Sequence, residues 1–329
     1  MRVSVTEYCK AIGTDRMLVQ GAGGNVSWKD NNTLWIKASG TWLADAGNRD
    51  IFVPVDLPHL QAAITSGDFE ISPKLSAKSS LRPSIETLLH ALMPHTVVVH
   101  VHAIEALVHL VKFDSEYLID ESIKWVDVDY HKPGEALARA VYIALDRVED
   151  VNVVFLKNHG VVIGGSDVTE IDKILRSITQ SMTSAVCEPV QVTIPNYSLD
   201  VGDGLQYFPV EDIDVHQLAI NPILFDRLET DWALYPDHVV FLGAKAEMYA
   251  NADEFRATHN STTPELVFIK GFGVFTKQEF TIAKQAQLRC YYDVLSRLPA
   301  ACKVNALEEG QVAELLNWDA ERYRMNVAK

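Results

Sequence analysis

The feature that most constrains the fold is a run of β-branched residues that ends in two histidines one residue apart. Residues 96–102 are Thr-Val-Val-Val-His-Val-His. Such a short apolar run, rich in valine, is typical of a β-strand. Side chains two positions apart on a strand project to the same face. The sequence therefore predicts a sheet on which His100 and His102 present their imidazoles side by side.

A second apolar run, starting at Val151, ends in His159-Gly160. If it forms a neighbouring strand, it brings a third imidazole to the first two. Three imidazoles with an open fourth position are the ligand set of a catalytic zinc-type site. A plainer interpretation stays open, in which His100 and His102 are polar residues on a solvent face and His102 caps the next helix. Structural roles suit the other histidines of this region, His59, His90, His95 and His109.

Composition excludes several classes of protein. The chain has 329 residues, 48% of them hydrophobic and 22% charged, with a formal net charge of −15. A strongly negative chain is a poor partner for nucleic acid or for an anionic membrane surface, so we expect neither. Four cysteines without a CxxC pair, and a start without an apolar leader, predict a cytoplasmic protein with reduced thiols. The stretch 96–111 is too short and too polar to span a bilayer.

Apolar periodicity and chain breakers predict a large first domain, residues 1–195, and a smaller second domain of unknown role, residues 196–329. The region 189–204 is the expected linker. In the second domain, apolar runs at 238–242 and 266–269, a glycine pair and a helix over 282–298 echo the strand, turn and helix order of the first. In the first domain we predict helices over 5–19, 57–65, 85–92, 103–111, 135–145 and 168–186, and strands over 25–28 and 33–37, with an extended piece over 123–130.

Other polar residues have two interpretations each. Glu86 lies in the first turn of a predicted helix, where a carboxylate interacts favourably with the helix dipole. The residues alone favour that role over general acid/base catalysis beside a metal. The glycine-rich loop 21–24 and the turn at Ser39-Gly40 are simple tight turns or, alternatively, anion-binding nests. Neither is a GxGxxG or Walker motif, so a dinucleotide fold is not indicated.

Taken in order, five short motifs over about residues 5–190 resemble the class II aldolase/adducin family. They are Gly24-Asn25-Val26-Ser27, Ser39-Gly40, Pro83-Ser84-Ile85-Glu86, His100-Val101-His102 and Asn158-His159-Gly160. The stretches 82–91, 235–239 and 270–275 are also similar to the aldolase portion of the bifunctional rhamnulose-1-phosphate aldolase/lactaldehyde dehydrogenases. We expect the dehydrogenase portion to be absent, since no GxGxxG occurs.

The resemblance implies an α/β fold with α/β/α layers around a mostly antiparallel sheet, in a homotetramer with active sites at subunit interfaces. It also implies a metal-dependent aldolase that reversibly cleaves a phosphorylated ketose to dihydroxyacetone phosphate and an aldehyde through a metal-stabilised enediolate. Zn²⁺, or else Mn²⁺ or Co²⁺, would be the cofactor, and a sugar or sugar phosphate the substrate. The implied roles are metal binding by His100, His102 and His159, proton transfer by Glu86, contact with the aldehyde product by Tyr130, and phosphate binding by Gly24, Asn25, Ser39, Gly40 and Ser84.

One departure from the family concerns the phosphate site. Phosphate-binding members often have a second serine where this chain has Ile85. The substrate is then bound differently or lacks a phosphate. Lys37 and Lys270 are candidates for supplying positive charge, although the sequence does not place them in the pocket.

Other functions on the same scaffold stay open. A sugar-phosphate epimerase or a decarboxylase would share the metal and the enediolate. A non-catalytic, adducin-like interaction module would lack the metal ligands, and the presence of all three histidines and Glu86 argues against it. For residues 205–329 we consider three roles: covering the active site, building the oligomer, or binding a partner.

Overall fold

The computed structural model describes all residues except 115, 192, 194–197, 202–204, 259–263 and 329. The chain divides into two compact units, one made of Met1–Thr183 with Asn317–Lys329 and the other of Ser184–Leu316. The segment after Leu316 thus packs with the first unit, whereas the sequence-based division placed it in the second domain. None of the described helices combines the length and apolarity that crossing a membrane requires.

A seven-stranded sheet forms the centre of the first unit. Its strands are β1 (Asn25–Asp30), β2 (Thr33–Lys37), β3 (Phe52–Asp56), β4 (Val97–Val101), β5 (Trp125–Val128), β6 (Val153–Leu156) and β7 (Gly160–Gly165). They are arranged in the order β3-β2-β1-β4-β7-β6-β5. Only the β5–β6 pair is parallel, and the other neighbours are antiparallel. The mostly antiparallel sheet is therefore confirmed.

Helices flank this sheet in the described part of the chain before residue 184. They are α1 (Arg2–Thr14), α2 (Leu57–Ser66), α3 (Thr87–Leu92), α4 (Ile104–Leu110), α5 (Glu135–Leu145) and α6 (Val168–Ser181), with a 3₁₀ helix at Leu43–Gly47. The sequence predicts the first helix over 5–19. In the structure α1 ends at Thr14, because Asp15 has an extended backbone. Helix α2 begins as predicted, with Asp56 accepting a hydrogen bond from the His59 backbone and a proline in the first turn.

Alternation along β4 divides the core into two layers. Val97, Val99 and Val101 face a cluster that includes α1, α4 and α6, whereas Val98 faces a cluster built with α3 and α5. Since side chains alternate along a strand, His100 shares the face of Val98 and points toward the α3 layer. This α/β/α arrangement is the predicted one, and it brings the start of α3 next to the histidines.

The second unit has a smaller sheet of five strands in the order β10-β11-β12-β9-β8. These are β8 (Leu199–Asp200), β9 (Gln206–Pro209), β10 (Met248–Tyr249), β11 (Leu266–Ile269) and β12 (Gly273–Thr276). Its helices are α7 (Gln217–Ile220), α8 (Pro222–Arg227), α9 (Pro236–Leu242), α10 (Ala252–Thr258), α11 (Ile282–Leu295) and α12 (Glu309–Leu316), with a 3₁₀ helix at Ile213–His216.

The apolar run 238–242 is the helix α9 and not a strand, because a short buried run is apolar on every side in either structure and periodicity cannot separate the two. In the expected linker, residues 192, 194–197 and 202–204 lie outside the described residues, and Leu199–Asp200 form β8.

The chain ends in helix α13 (Asp319–Val327), which belongs to the first unit. The helix lies against the turn that follows β2. The Trp42 indole Nε1 donates a hydrogen bond to the Ala328 carbonyl at 3.4 Å. Gly40 has a φ of +78°, and a Cβ there would lie 2.6 Å from the Val327 Cβ. Glycine is thus needed at position 40 both for its backbone conformation and for this close approach.

Candidate metal centre

The structure brings His100, His102 and His159 together in the first unit. His100 is in β4, His102 follows that strand, and all three side chains are buried. One ligand nitrogen from each ring lies within 4.8 Å of the others. The Nε2 atoms of His100 and His102 are 3.0 Å apart. The described residues therefore contain the predicted three-imidazole cluster.

His159 reaches the cluster from a turn, not from a strand as the apolar run suggested. The turn joins β6 to β7, and Asn158 within it has a φ of +53°. Asparagine tolerates this left-handed conformation better than most residues. The Asn158 N–H donates to the Leu110 carbonyl at 3.1 Å, and the His159 N–H donates to the Leu156 carbonyl at 3.1 Å. These bonds hold the tight turn that directs the third imidazole toward β4.

Gly160 leaves room for the imidazoles. A Cβ at this position would lie 2.5 Å from the Val101 carbonyl oxygen, 3.0 Å from the His100 ring and 3.1 Å from the His102 ring. Contacts this short require the backbone or the rings to move. The glycine in the Asn158-His159-Gly160 motif is therefore required by the packing of the ligand set itself.

The three histidines fit a divalent cation. His100 Nδ1 lies 3.1 Å from the Val161 carbonyl oxygen, so Nδ1 carries the proton and the Nε2 lone pair faces the cluster. The 3.0 Å between the two Nε2 atoms is close to the roughly 3.3 Å between two ligands on a tetrahedral zinc ion with bonds of about 2.0 Å. Buried imidazole nitrogens arranged in this way are the donor set of a catalytic metal site.

Glu86 adds a carboxylate to the same cluster. Its Oε1 lies 3.5 Å from His159 Nε2, and its Oε2 lies 3.7 Å from His100 Nε2. The Asn25 amide donates to Oε2 at 2.5 Å. Glu86 occupies the N-cap position of α3, but its side chain makes no capping hydrogen bond. The side chain thus points to the imidazoles and does not simply stabilise the helix.

The carboxyl of Glu86 is held in its ionised form. Burial alone raises its pKa, but the positive charge of the neighbouring imidazoles in their protonated form, first His100 and then His159, outweighs that effect and lowers the pKa to about 2. Its Oε1 is buried and accepts no hydrogen bond from the described residues. A buried, negatively charged acceptor of this kind is suited to a cation or to a proton donor on a substrate.

Two loops meet around this carboxylate. A bridge between Ala38 and Pro83, with the Ser39 N–H donating to the Arg82 carbonyl at 3.0 Å, places the turn after β2 beside Ser84. The Ser84 hydroxyl in turn accepts a hydrogen bond from the Glu86 N–H at 3.2 Å. The turn at Ser39-Gly40 thus lies beside the segment that carries Ser84 and Glu86.

Lys37 ties this turn to the glycine-rich loop. Its side chain is buried, and its ammonium donates to the Ala22 carbonyl at 3.0 Å and to the Thr41 carbonyl at 2.6 Å. Gly24 allows the glycine-rich loop to lie close to the backbone of His100. Its φ is +64°, and a Cβ there would lie 2.9 Å from the His100 carbonyl oxygen. Lys270, the other candidate cation, lies in the second unit, 3.6 Å from Asp226.

Tyr130 lies at a different part of the sheet. It follows β5, the edge strand, and is half-buried. Because β5 and β6 are parallel, Tyr130 emerges at the end of the sheet where the His159 turn also begins. Two strands, β6 and β7, separate β5 from the strand that carries His100.

His90 supports the site, although its sequence context suggested only a structural role. It is fully buried, and its Nδ1 lies 2.8 Å from the Ser27 hydroxyl. Burial lowers its pKa to about 3, so the ring is neutral. The spacing of these residues could have indicated the contact. Asn25 and Ser27 are two apart on a strand, and Glu86 and His90 are four apart at the start of a helix, so each pair shares one face. In the structure Asn25 contacts Glu86 and Ser27 contacts His90.

Comparison with known proteins identifies the family. The sequence profile of the Class II Aldolase and Adducin N-terminal domain matches residues 3–182, which is more than half of the chain. The chain belongs to this family.

Curated relatives share this region. YuxG of Bacillus subtilis, described as an uncharacterized oxidoreductase, is 30% identical over 173 residues, which cover 47% of this chain and 25% of YuxG. The chain thus matches only a quarter of that protein's length. An L-fuculose phosphate aldolase of Methanococcus maripaludis is 28% identical over 172 residues, covering 51% of this chain and 88% of the aldolase.

Solved structures with a similar fold include the N-terminal class II aldolase domain of a conserved protein from Thermoplasma acidophilum. Its TM-score is 0.44 at 23% identity, over 54% of this chain and 90% of that domain. The L-fuculose-1-phosphate aldolase of Thermus thermophilus has a TM-score of 0.39 at 17% identity, over 55% of this chain and 93% of that structure.

Proposed function

We propose that this protein is a metal-dependent aldolase that reversibly cleaves a phosphorylated ketose to dihydroxyacetone phosphate and an aldehyde. The observation that carries the proposal is the buried cluster of three imidazoles with the ionised carboxylate of Glu86 within 3.7 Å of two of them. The similarity to curated L-fuculose phosphate aldolases supports the substrate class.

Zn²⁺ is the metal that we propose, with Mn²⁺ or Co²⁺ as substitutes, since all three ligands are imidazoles and the set leaves one position open. His100, His102 and His159 would hold it. When bound, the cation supplies the Lewis acidity that stabilises the negative charge of the enediolate left after carbon–carbon cleavage.

Glu86 is the group that we propose moves the proton. In the direction of addition, its carboxylate takes a proton from the carbon next to the ketone of dihydroxyacetone phosphate, that carbon then attacks the aldehyde, and the aldehyde oxygen takes up a proton from water. In the direction of cleavage, the hydroxyl that becomes the aldehyde oxygen loses its proton to water, the electron pair of the broken bond stays on the carbon next to the ketone, and Glu86, which takes up a proton from water, delivers it to that carbon. The Asn25 amide, which donates to Oε2, fixes the orientation of the carboxylate during both steps.

The remaining predicted residues take supporting roles in this proposal. The backbone and side chains at Gly24, Ser39, Gly40 and Ser84 bind the phosphate, together with Asn25. Tyr130 contacts the aldehyde, from this subunit or from a neighbouring one in the proposed homotetramer. This assignment agrees with the contacts between the two loops and Glu86, and it makes no use of the second unit.

A panel of ketose 1-phosphates tests the reaction. We expect the purified protein with its metal to release dihydroxyacetone phosphate from at least one member of the panel, measured by coupling to its NADH-dependent reduction. The sugar, its stereochemistry and the aldehyde follow from which member reacts. If the metal-loaded protein releases none, but interconverts pentulose phosphates or releases CO₂, the protein is instead an epimerase or decarboxylase and the aldolase proposal is wrong.

A further inference from the structure

A cavity of about 760 Å³ lies in the first unit beside the segment that carries Glu86. Its size is within the range of about 300–1,000 Å³ typical of small-molecule sites. Ser84 and Ile85, the two residues before Glu86, form part of its wall. The other walls come from residues 69–73, Arg82 and Pro83, Leu88, residues 132–136, and Trp318 with Ala320 from the end of the chain.

Two cationic side chains, Arg82 and Lys132, line the cavity. Each lies over an aromatic ring of the C-terminal segment. The Arg82 guanidinium carbon lies 4.3 Å from the ring centroid of Tyr323. The Lys132 ammonium lies 4.6 Å from the ring centroid of Trp318. Such cation–π contacts restrict long, flexible side chains to a small set of positions while leaving their N–H groups able to donate. The C-terminal segment thus orients both cations of the cavity.

Trp318 lies next to the backbone at Gly134. Gly134 has a φ of +99°, and a Cβ at this position would lie 3.5 Å from Cη2 of Trp318 and 4.0 Å from the Ile85 carbonyl oxygen. Gly134 therefore lies near both Trp318 and Ile85, the residue before Glu86. The end of the chain is in this way part of the cavity wall and not a loose extension.

The balance of charge in the cavity favours an anion. Glu70 and Glu135 also line it. Because Glu135 forms an ion pair with Arg139 at 3.1 Å, two cations remain against the single carboxylate of Glu70. Among the residues that the structure describes, neither Arg82 nor Lys132 forms an ion pair. Two preoriented cations without a carboxylate partner, next to the Ser84 hydroxyl, form a site for a phosphate or carboxylate group.

We propose that Arg82, Lys132 and Trp318 form a specificity pocket that binds an anionic group of the substrate, a phosphate ester or a carboxylate. This inference rests on the proposed function for the identity of its ligand as a substrate. It assigns the segment that begins at Asn317 and carries Trp318 to the active site, although this segment follows the second unit in the chain. It also supplies charged donors on the side of Glu86 where Ile85 offers none.

Calorimetric titration of the purified protein with inorganic phosphate, and separately with glycolate, tests the pocket. We expect Lys132→Met and Arg82→Gln each to weaken binding of the preferred anion at least tenfold. Lys124→Met, which removes an exposed lysine outside the cavity, should change binding less than twofold. The anion that binds more tightly to the unaltered protein identifies the phosphate or the carboxylate as the group recognised.

Several outcomes would overturn the pocket. They are unchanged affinity in both cavity variants, equal weakening by the Lys124 control, or absence of binding of either anion to the unaltered protein. Arg82 is exposed, whereas Lys132 is half-buried, so Arg82→Gln carries the test if Lys132→Met fails to fold. Loss of anion binding in these variants, in a protein that cleaves no ketose phosphate, would uphold the pocket and refute the aldolase proposal. Cleavage of a ketose phosphate with an unchanged KM in both variants would uphold the aldolase proposal and refute the pocket.

Discussion

Replacing Glu86 by glutamine should lower kcat about a hundredfold to ten-thousandfold, the range by which a positioned acid or base accelerates a reaction, and should leave the metal content unchanged. Glutamine has nearly the same shape, and its side-chain oxygen can still accept the hydrogen bond from the Asn25 amide. It cannot take up a proton at the pH of the assay. The carboxylate is not one of the three imidazole donors, so the metal should stay bound.

Metal analysis and steady-state kinetics of the same preparation separate the possible roles of Glu86. Glu149→Gln is a suitable control, since this exposed carboxylate lies outside the cluster and its loss should leave kcat unchanged. Loss of metal together with activity in Glu86→Gln would show that the carboxylate is mainly a ligand or a structural group. Retention of full activity would show that it takes no part in proton transfer.

Replacing Gly160 by alanine should reduce metal affinity at least about tenfold, on the scale by which groups that orient metal ligands change affinity. The added Cβ would lie 2.5 Å from the Val101 carbonyl oxygen, 3.0 Å from the His100 ring and 3.1 Å from the His102 ring. Since Val101 is held in the ladder between β4 and β7, the rings must move. Overpacking of this kind also lowers the free energy of unfolding by about 1–3 kcal/mol.

Competition with a chromogenic chelator measures the metal affinity of this variant, and urea unfolding measures its stability. Gly310→Ala provides the matched control. This glycine lies in α12, and an added Cβ there would meet no atom within 4 Å, so alanine should be neutral or stabilising by up to about 1 kcal/mol. Wild-type metal affinity in Gly160→Ala would contradict the geometry given for the cluster.

Much of the metal centre follows from local sequence rules. A run of valines with histidines two apart predicts β4 and the shared direction of two imidazoles, and both are confirmed in the structure. The layered, mostly antiparallel sheet is what the resemblance to the class II aldolase/adducin family implies, and it is confirmed in the structure. The family resemblance then supplied the link between Glu86 and the histidines, where local rules favoured only a helix-dipole role.

Other parts of the site depend on contacts between residues distant in the chain, which local patterns do not encode. The left-handed turn at Asn158 places His159 beyond a strand end. His90 contacts Ser27 only because helix α3 lies against strand β1. Residues 317–329 pack with the first unit, although the whole of the second unit lies between them and residue 183 in the sequence. The buried helix α9 could not be distinguished from a strand, since its apolar run has no polar face.

The most direct test of the central claim is the metal content of the purified protein, measured together with its release of dihydroxyacetone phosphate. We predict about one divalent ion per chain at the three-imidazole site, loss of activity on chelation, and recovery on addition of Zn²⁺. His100→Ala should lose both the ion and the activity, whereas His59→Ala, outside the cluster, should keep both. A protein without a stoichiometric metal ion, whose activity His100→Ala leaves unchanged, would contradict this account.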